Sequence, residues 1–253
     1  MKQSFFLLLL LGFAFSINAQ QDTSRTNVSL GLTGSYQSGN FQRVQFINSL
    51  DISLNSQNQQ WNFLTRHLYL YQTVFGNPTQ NDYLGRNFLT YRLNDKADVF
   101  GAVFIERYFI KKIDWHTQFG VGTRYKLVHT PRVFLQIGLM GSYSDKQYNG
   151  VDFENFDNEN SNTITAFFIT PVLNTQLVII PKRLIIKGLG WFQQSVVESQ
   201  NWRYVIEGQV LMPLRKDLNI KVSVNNFYEN INLTGVKAND LFITYGISYQ
   251  FKK

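Results

Sequence analysis

The residue types that could do chemistry in this chain are charges placed at every second position. Arg43, Arg66, Arg86, Arg92, Arg124, Lys126, Lys187, Arg203 and Lys221 fall on the same alternating face as Asp51, Asp82, Asp98, Glu106 and Glu207. Side chains two apart along a strand point to one side, so these groups would line a common wall. Nine basic against five acidic residues leave an excess of four positive charges on it. Such a wall can pair internally into a salt-bridge network that fills an interior. It can also form a basic lining that favours anions in a narrow passage. The sequence leaves both readings open.

Other candidates for chemistry are sparse. His67, His116 and His129 read as lying on a strand, in an outer loop and at a turn, none beside a serine or carboxylate in a hydrolase-like pattern. No catalytic residue is expected, and a membrane-embedded enzyme is the most distant reading. The stretch Asp145 to Ser161 reads as an acidic loop holding Asp145, Asp152, Glu154, Asp157 and Glu159. Clustered oxygens can bind Ca²⁺ or bridge to lipopolysaccharide, but the spacing is not that of an EF-hand, and a solvated loop is the simpler reading. The chain has no cysteine, which excludes disulfides, thiolate metal sites and a lipidated cysteine. No cofactor or metal site is expected. The net charge of +7 comes from basic residues scattered singly, with no dense run, so nucleic acid is not an expected partner.

The elements that must position the charged wall are strands. Twelve segments alternate apolar with small or polar residues, beginning at Asn27 to Gln37 and Phe41 to Leu54 and ending at Leu241 to Phe251. In Gln60 to Thr73 both faces are apolar. Turning Arg66 inward there puts Trp61, Phe63, Tyr69 and Tyr71 on the opposite side, with His67 among them; turning it outward would cost about 2–4 kcal/mol in hydrocarbon. Ser38-Gly39-Asn40 marks a tight turn, Phe75 to Asn81 and Lys111 to His116 read as loops, and Pro171 predicts a bulge or an edge-like irregularity within Asn162 to Ile180. Long connections at Phe75, Lys111, Asp145 and Asn230 fall on one side, with short exceptions at Ser38 and Val196, and only short ones fall on the other. Aromatics at 15 % and charged residues at only 16 % suit strands that face lipid on one side. The fold expected is all-β: a single antiparallel up-and-down transmembrane β-barrel of about twelve strands. A soluble two-sheet sandwich is the rival, but it would carry more charge on its outer faces.

The two ends of the sequence carry processing signals. Lys2, the apolar run Phe5 to Phe15 and the small residue Ala19 predict an export signal over residues 1–19, with 20–26 a short periplasmic lead-in and 27–253 the barrel. In the last segment Thr244, Gly246, Tyr249 and Phe251 have the spacing of an assembly signal for outer-membrane barrels, although Lys252 and Lys253 follow it. The expected location is the bacterial outer membrane, reached through the periplasm. The partners expected are outer-membrane lipid and lipopolysaccharide, the barrel-assembly machinery and small anionic solutes.

Several short motifs resemble one family. They are Gly39-Asn40 after the first strand, Glu106-Arg107-Tyr108 closing the fifth, then Phe119-Gly120-Val121-Gly122 and Tyr125. In this order the chain, from Asn27 to Phe251, resembles the salt-induced outer-membrane proteins, the domain-of-unknown-function family numbered four hundred and eighty-one. The resemblance implies an outer-membrane barrel of unsettled function, in a family with at least one member linked to salt stress, and supplies no catalytic residues. The functional expectation is a narrow passive pore with a basic lumen for small, preferably anionic solutes. Its alternative is a non-conducting envelope barrel that supports membrane integrity under salt or osmotic stress, or docks a partner.

Overall fold

Alternation of apolar and polar residues makes each segment two-faced, and closing the sheet is what satisfies every backbone group without leaving an edge. The computed structural model describes residues 26–37, 43–154, 156, 161–181, 183–215 and 218–252. The expected export signal, the turn at Ser38-Gly39-Asn40, and Asp157 and Glu159 lie outside the described residues, as do the side chains of Arg43 and Phe251.

Twelve strands form the closed barrel: β1 (Thr26–Gln37), β2 (Arg43–Asn55), β3 (Trp61–Val74), β4 (Asn77–Arg92), β5 (Ala97–Tyr108), β6 (Ile113–His129), β7 (Val133–Tyr148), β9 (Thr163–Ile180), β10 (Leu184–Ser195), β11 (Trp202–Pro213), β12 (Leu218–Glu229) and β14 (Asn239–Lys252). Two short pieces, β8 (Phe153–Glu154) and β13 (Asn232–Leu233), pair with each other outside it. Each barrel strand bonds antiparallel to its neighbours in sequence, and β14 returns to β1, placing Leu30 opposite Tyr249 and Val28 opposite Phe251.

The outer wall is apolar. On β14, Leu241, Ile243, Tyr245, Ile247 and Tyr249 are all at least half exposed, Tyr245 at 76 %. Phe119 and Val121 on β6, Leu139 on β7, Phe167 and Ile169 on β9 and Ile206 on β11 continue the band. A closed barrel with polar residues inside and an apolar exterior is a transmembrane β-barrel. His67 lies on this outer wall, where its ring nitrogens meet Thr65 Oγ1 at 2.7 Å and the Tyr83 hydroxyl at 2.8 Å. Thr65 also donates to Asn87 Oδ1 at 2.7 Å, so the polar groups facing lipid satisfy one another.

The structure corrects several sequence-based boundaries. Phe75 to Asn81 is not a long loop. Phe75 and Gly76 both take positive φ (48° and 79°), forming a two-residue hairpin, and the strand resumes at Asn77 after a bulge between Gln72 and Thr73. His116 is not in a loop either, because β6 begins at Ile113, and β7 runs through Asp145 to Tyr148. Pro171 brings the edge-like irregularity of the two alternatives, not a bulge. It sits opposite Leu139 in the β7 ladder without a register shift, and only the bridges to β10 lapse there, since proline has no N–H to give. The stretches expected as loops at Asp145 to Ser161 and Asn230 to Asp240 contain β8 and β13.

Candidate functional site

The barrel interior is built in layers along its axis, because each inward side chain is fixed by strand parity and depth. One rim carries both ends of the barrel sequence; the opposite rim carries the longer connections.

At the loop rim, the β7–β9 and β12–β14 connections fold over the opening. The ladder of β8 with β13 sets Phe153 opposite Leu233, and Ile113, Tyr148, Phe153, Ile164, Ile231 and Leu233 pack into one buried apolar cluster. This lid is latched by Lys111, whose Nζ lies 3.2 Å from Asp240 Oδ2 and donates to the Ala238 carbonyl at 3.1 Å.

Beneath the lid, charged and amide groups fill the interior. Glu229 Oε1 accepts from Lys146 Nζ at 2.6 Å and lies 3.3 Å from Arg203 Nη1. Arg203 also donates to Gln118 Oε1 at 2.6 Å and to Gln193 Oε1. Glu106 meets Arg86 Nε at 3.0 Å and His116 Nδ1 at 2.9 Å, and Arg86 Nη1 reaches Glu207 at 2.7 Å. Ser144 Oγ stands 3.0 Å from His116 Nε2. The isolated histidine expected from sequence therefore sits between a hydroxyl and a carboxylate, the order of parts found in hydrolase triads. Its accessibility is 0 %, Ser144 is at 2 %, and a guanidinium nitrogen of Arg203 lies 3.5 Å from the same ring nitrogen. With no room for a reacting acyl group beside it, this arrangement is a strut of the buried network.

Toward the terminal rim the two sides of the interior differ. The β4–β7 wall is filled by Phe88, Phe100, Phe104 and Met140. The glycines of the Phe119-Gly120-Val121-Gly122 motif make this packing fit. A Cβ at Gly122 would stand 2.8 Å from the Phe100 ring and 2.5 Å from the Leu139 carbonyl oxygen, and one at Gly120 would stand 2.8 Å from Met140 Sδ. Arg124 lies over the Phe100 ring at 4.7 Å and pairs with Asp98 at 2.6 Å. The other side, formed by β1–β4 and β10–β14, encloses a cavity of about 230 Å³. It extends from Tyr108 near the loop rim to Lys187 and Ser248 near the terminal rim.

The charged residues singled out by alternation are distributed as follows. Asp51, Arg66, Asp82, Arg86, Lys187, Glu207 and Lys221 line the cavity. Asp98, Glu106, Arg124 and Arg203 belong to the ion-paired layers just described. Lys126 donates to the Asp95 carbonyl at 3.0 Å and, with exposed Arg92, stands at the terminal rim. Asp82 accepts from Gln80 and from the Phe109 N–H. Lys111, Lys146, Glu229 and Asp240 were missed, and His116 was weighed only as an isolated loop histidine. Lys146 and Glu229 continue the inward parity of their strands and could have been found by extending β7 and β12; Lys111 and Asp240 lie at connections, where parity gives no signal. Among the described residues no group of three or more acidic or histidine side chains is placed to hold a metal ion. Asp152 and Glu154 of the acidic stretch are exposed. Thr244 and Gly246 of the expected assembly signal line the cavity while Tyr249 faces outward.

The chain belongs to the family described as "Protein of unknown function, DUF481", whose model matches residues 14–251. No curated protein matches it in sequence. Among solved structures the chain is similar to one described as "NanC porin structure in rhombohedral crystal form", at 12 % identity and a TM-score of 0.49, covering 90 % of this chain and 97 % of that one. It is also similar to the "Translocator domain of autotransporter NalP from Neisseria meningitidis", at 9 % identity and a TM-score of 0.43, covering 99 % and 95 %. A third, the "Bacterial polysaccharide outer membrane secretin", stands at 6 % and 0.42, covering 93 % and 100 %. None of these likenesses carries a function across.

Proposed function

We propose that the protein is an outer-membrane barrel, with its terminal rim toward the periplasm, that passes small anionic solutes through a lumen closed by a lid in the present conformation. The observation that carries this reading is the cavity, which follows one wall from Lys187 and Ser248 up to Tyr108. Four basic groups on it (Arg66, Arg86, Lys187, Lys221) face three acidic ones (Asp51, Asp82, Glu207). Arg86 is committed to Glu106 and Glu207, so the groups left to favour anions are at the periplasmic half, Arg66 and Lys221 among them. Passage requires the lid to lift, and that lid is held by a two-residue ladder and the Lys111–Asp240 latch.

A second reading has its own support. Leu70, Leu84, Val205 and Phe227 meet across the interior and close it below the lid, as a non-conducting envelope barrel would require. Single-channel recording in planar bilayers separates the two. The passage reading expects brief anion-favouring openings that become more frequent in Asp240→Ala and lose selectivity in Arg66→Gln/Lys221→Gln. Silence of both the unaltered protein and Asp240→Ala would sink passage and leave the envelope role standing.

A further inference from the structure

The cavity is polarised along the barrel axis in the same sense on both of its walls. On β12, successive inward positions from the terminal rim are Lys221, Ser223, Asn225 and Phe227. On β3 they are Arg66, Leu68 and Leu70, and on β2 Asp51, Ser49 and Ile47. The ladders keep these in step: Asp51 pairs with Arg66 and Arg66 with Arg86, then Leu68 pairs with Leu84, and Ile47 pairs with Leu70. A charged row thus faces the terminal rim, and a chamber walled mainly by Leu68, Leu70, Leu84 and Phe227 lies beyond it, with buried Asp82, opposite Leu70, at its far end. Inner walls of transmembrane barrels are ordinarily polar, so an apolar chamber inside one calls for a reason.

Two buried polar atoms mark the boundary between the halves. Arg86 Nη2 and Ser223 Oγ have no hydrogen-bond partner among the described residues, and both side chains line this cavity. Arg66 and Lys221, likewise on its wall, have no ion-pair partner among the described residues. Arg66 is exposed and Lys221 half-buried, so the unfavourable buried donors are Arg86 Nη2 and Ser223 Oγ, and an anion placed beside them relieves that cost while meeting the two charges.

We propose that the cavity binds an amphipathic carboxylate. Its head group is held by the charges of Arg66 and Lys221, with Arg86 Nη2, which the pairs to Glu106 and Glu207 leave unused, and the Ser223 hydroxyl as further donors, and its apolar body lies against Leu68, Leu70, Leu84 and Phe227. The assignment rests on the lumen being open to solutes, and it narrows the class of solute. The volume, about 230 Å³, sets the size. A cavity of about 150 Å³ holds benzene, so this one takes roughly nine non-hydrogen atoms, a carboxylate of about six to eight carbons. Acetate leaves the chamber empty, and a long-chain fatty acid exceeds it.

The test is equilibrium dialysis of labelled hexanoate against the barrel in lipid nanodiscs, with empty nanodiscs as the blank. Saturable one-to-one binding is expected, weaker by about ten- to hundredfold for hexanamide, which loses the charged hydrogen bonds. Acetate, with no body to bury, is expected to bind weakly too. Arg66→Gln/Lys221→Gln should abolish the preference for hexanoate over hexanamide, and the amide comparison on unaltered protein keeps the test independent of any variant's folding. Equal binding of hexanoate and acetate, or uptake no greater than by empty nanodiscs, overturns the proposal. Binding does not require conduction. Absent binding with an open channel sinks the ligand class alone, and saturable binding beside a silent bilayer sinks passage alone.

Discussion

Removing Glu229 should expose how far the layer beneath the lid is shielded from water. Glu229 Oε1 is the sole ion-pair partner of Lys146 among the described residues, at 2.6 Å, and both residues are less than a tenth exposed. Arg203, by contrast, keeps its bonds to Gln118 and Gln193 when Glu229 is gone. The cost of Glu229→Leu therefore falls on a stranded Lys146 ammonium, and breaking a buried pair in this way costs about 3–5 kcal/mol. Lys146→Met should cost less, because Glu229 retains Arg203 at 3.3 Å. The double variant removes the stranded ammonium but leaves Arg203 with only its amide partners, so it should recover about 2 kcal/mol relative to Glu229→Leu without reaching the unaltered protein. Urea unfolding of the barrel refolded into vesicles, followed by tryptophan fluorescence, gives all three values and their coupling. A loss under about 1 kcal/mol in Glu229→Leu, or a double variant at least as unstable as the two singles summed, would show that water reaches this layer and that the pairing argument is wrong.

Other perturbations test other layers. Gly122→Val drives a side chain into the Phe100 ring and should destabilise by about 1–3 kcal/mol in the same assay, whereas Gly141→Ala, with nothing within 4 Å of the added carbon, should stay within about 0.5 kcal/mol. Tyr245→Arg puts a charge on the lipid face and should cost about 2–4 kcal/mol if this position lies near the midplane; an unchanged midpoint would place it at the interface instead. Deleting residues 249–253 removes the pairing of Tyr249 with both Leu30 and Leu218 and should block assembly, read as loss of the folded band on unheated gels, while deleting Lys252 and Lys253 alone should not.

Strand parity made most of the fold legible. A period of two assigns every residue to a wall; in β3 the cost of Arg66 in hydrocarbon chose which wall, and parity then put His67 outward. Connections were less legible because their conformation is decided by contacts that parity does not encode. The Phe75-Gly76 hairpin needs a phenylalanine at positive φ, and β8 and β13 form only because the two connections meet over the lid. The pairing of the charges was hidden for a related reason. His116, Glu106 and Ser144 come from three strands, and the sequence showed them only as separate residues. The amphipathic division of the cavity was hidden too, since Leu68, Leu84 and Phe227 look like ordinary strand residues until the ladders bring them level.

If the lid on the loop rim gates the lumen, fixing it shut silences the channel, and because the sequence has no cysteine the lid can be locked with an introduced pair. Phe153→Cys/Leu233→Cys places thiols at directly opposed positions of the β8–β13 ladder, within the reach of a disulfide. Single-channel recording of this variant should show a silent bilayer when oxidised and discrete anion-favouring openings once a reductant is added. Equal conductance in both states would contradict the gating role of the lid, and silence in both would contradict passage through the barrel altogether.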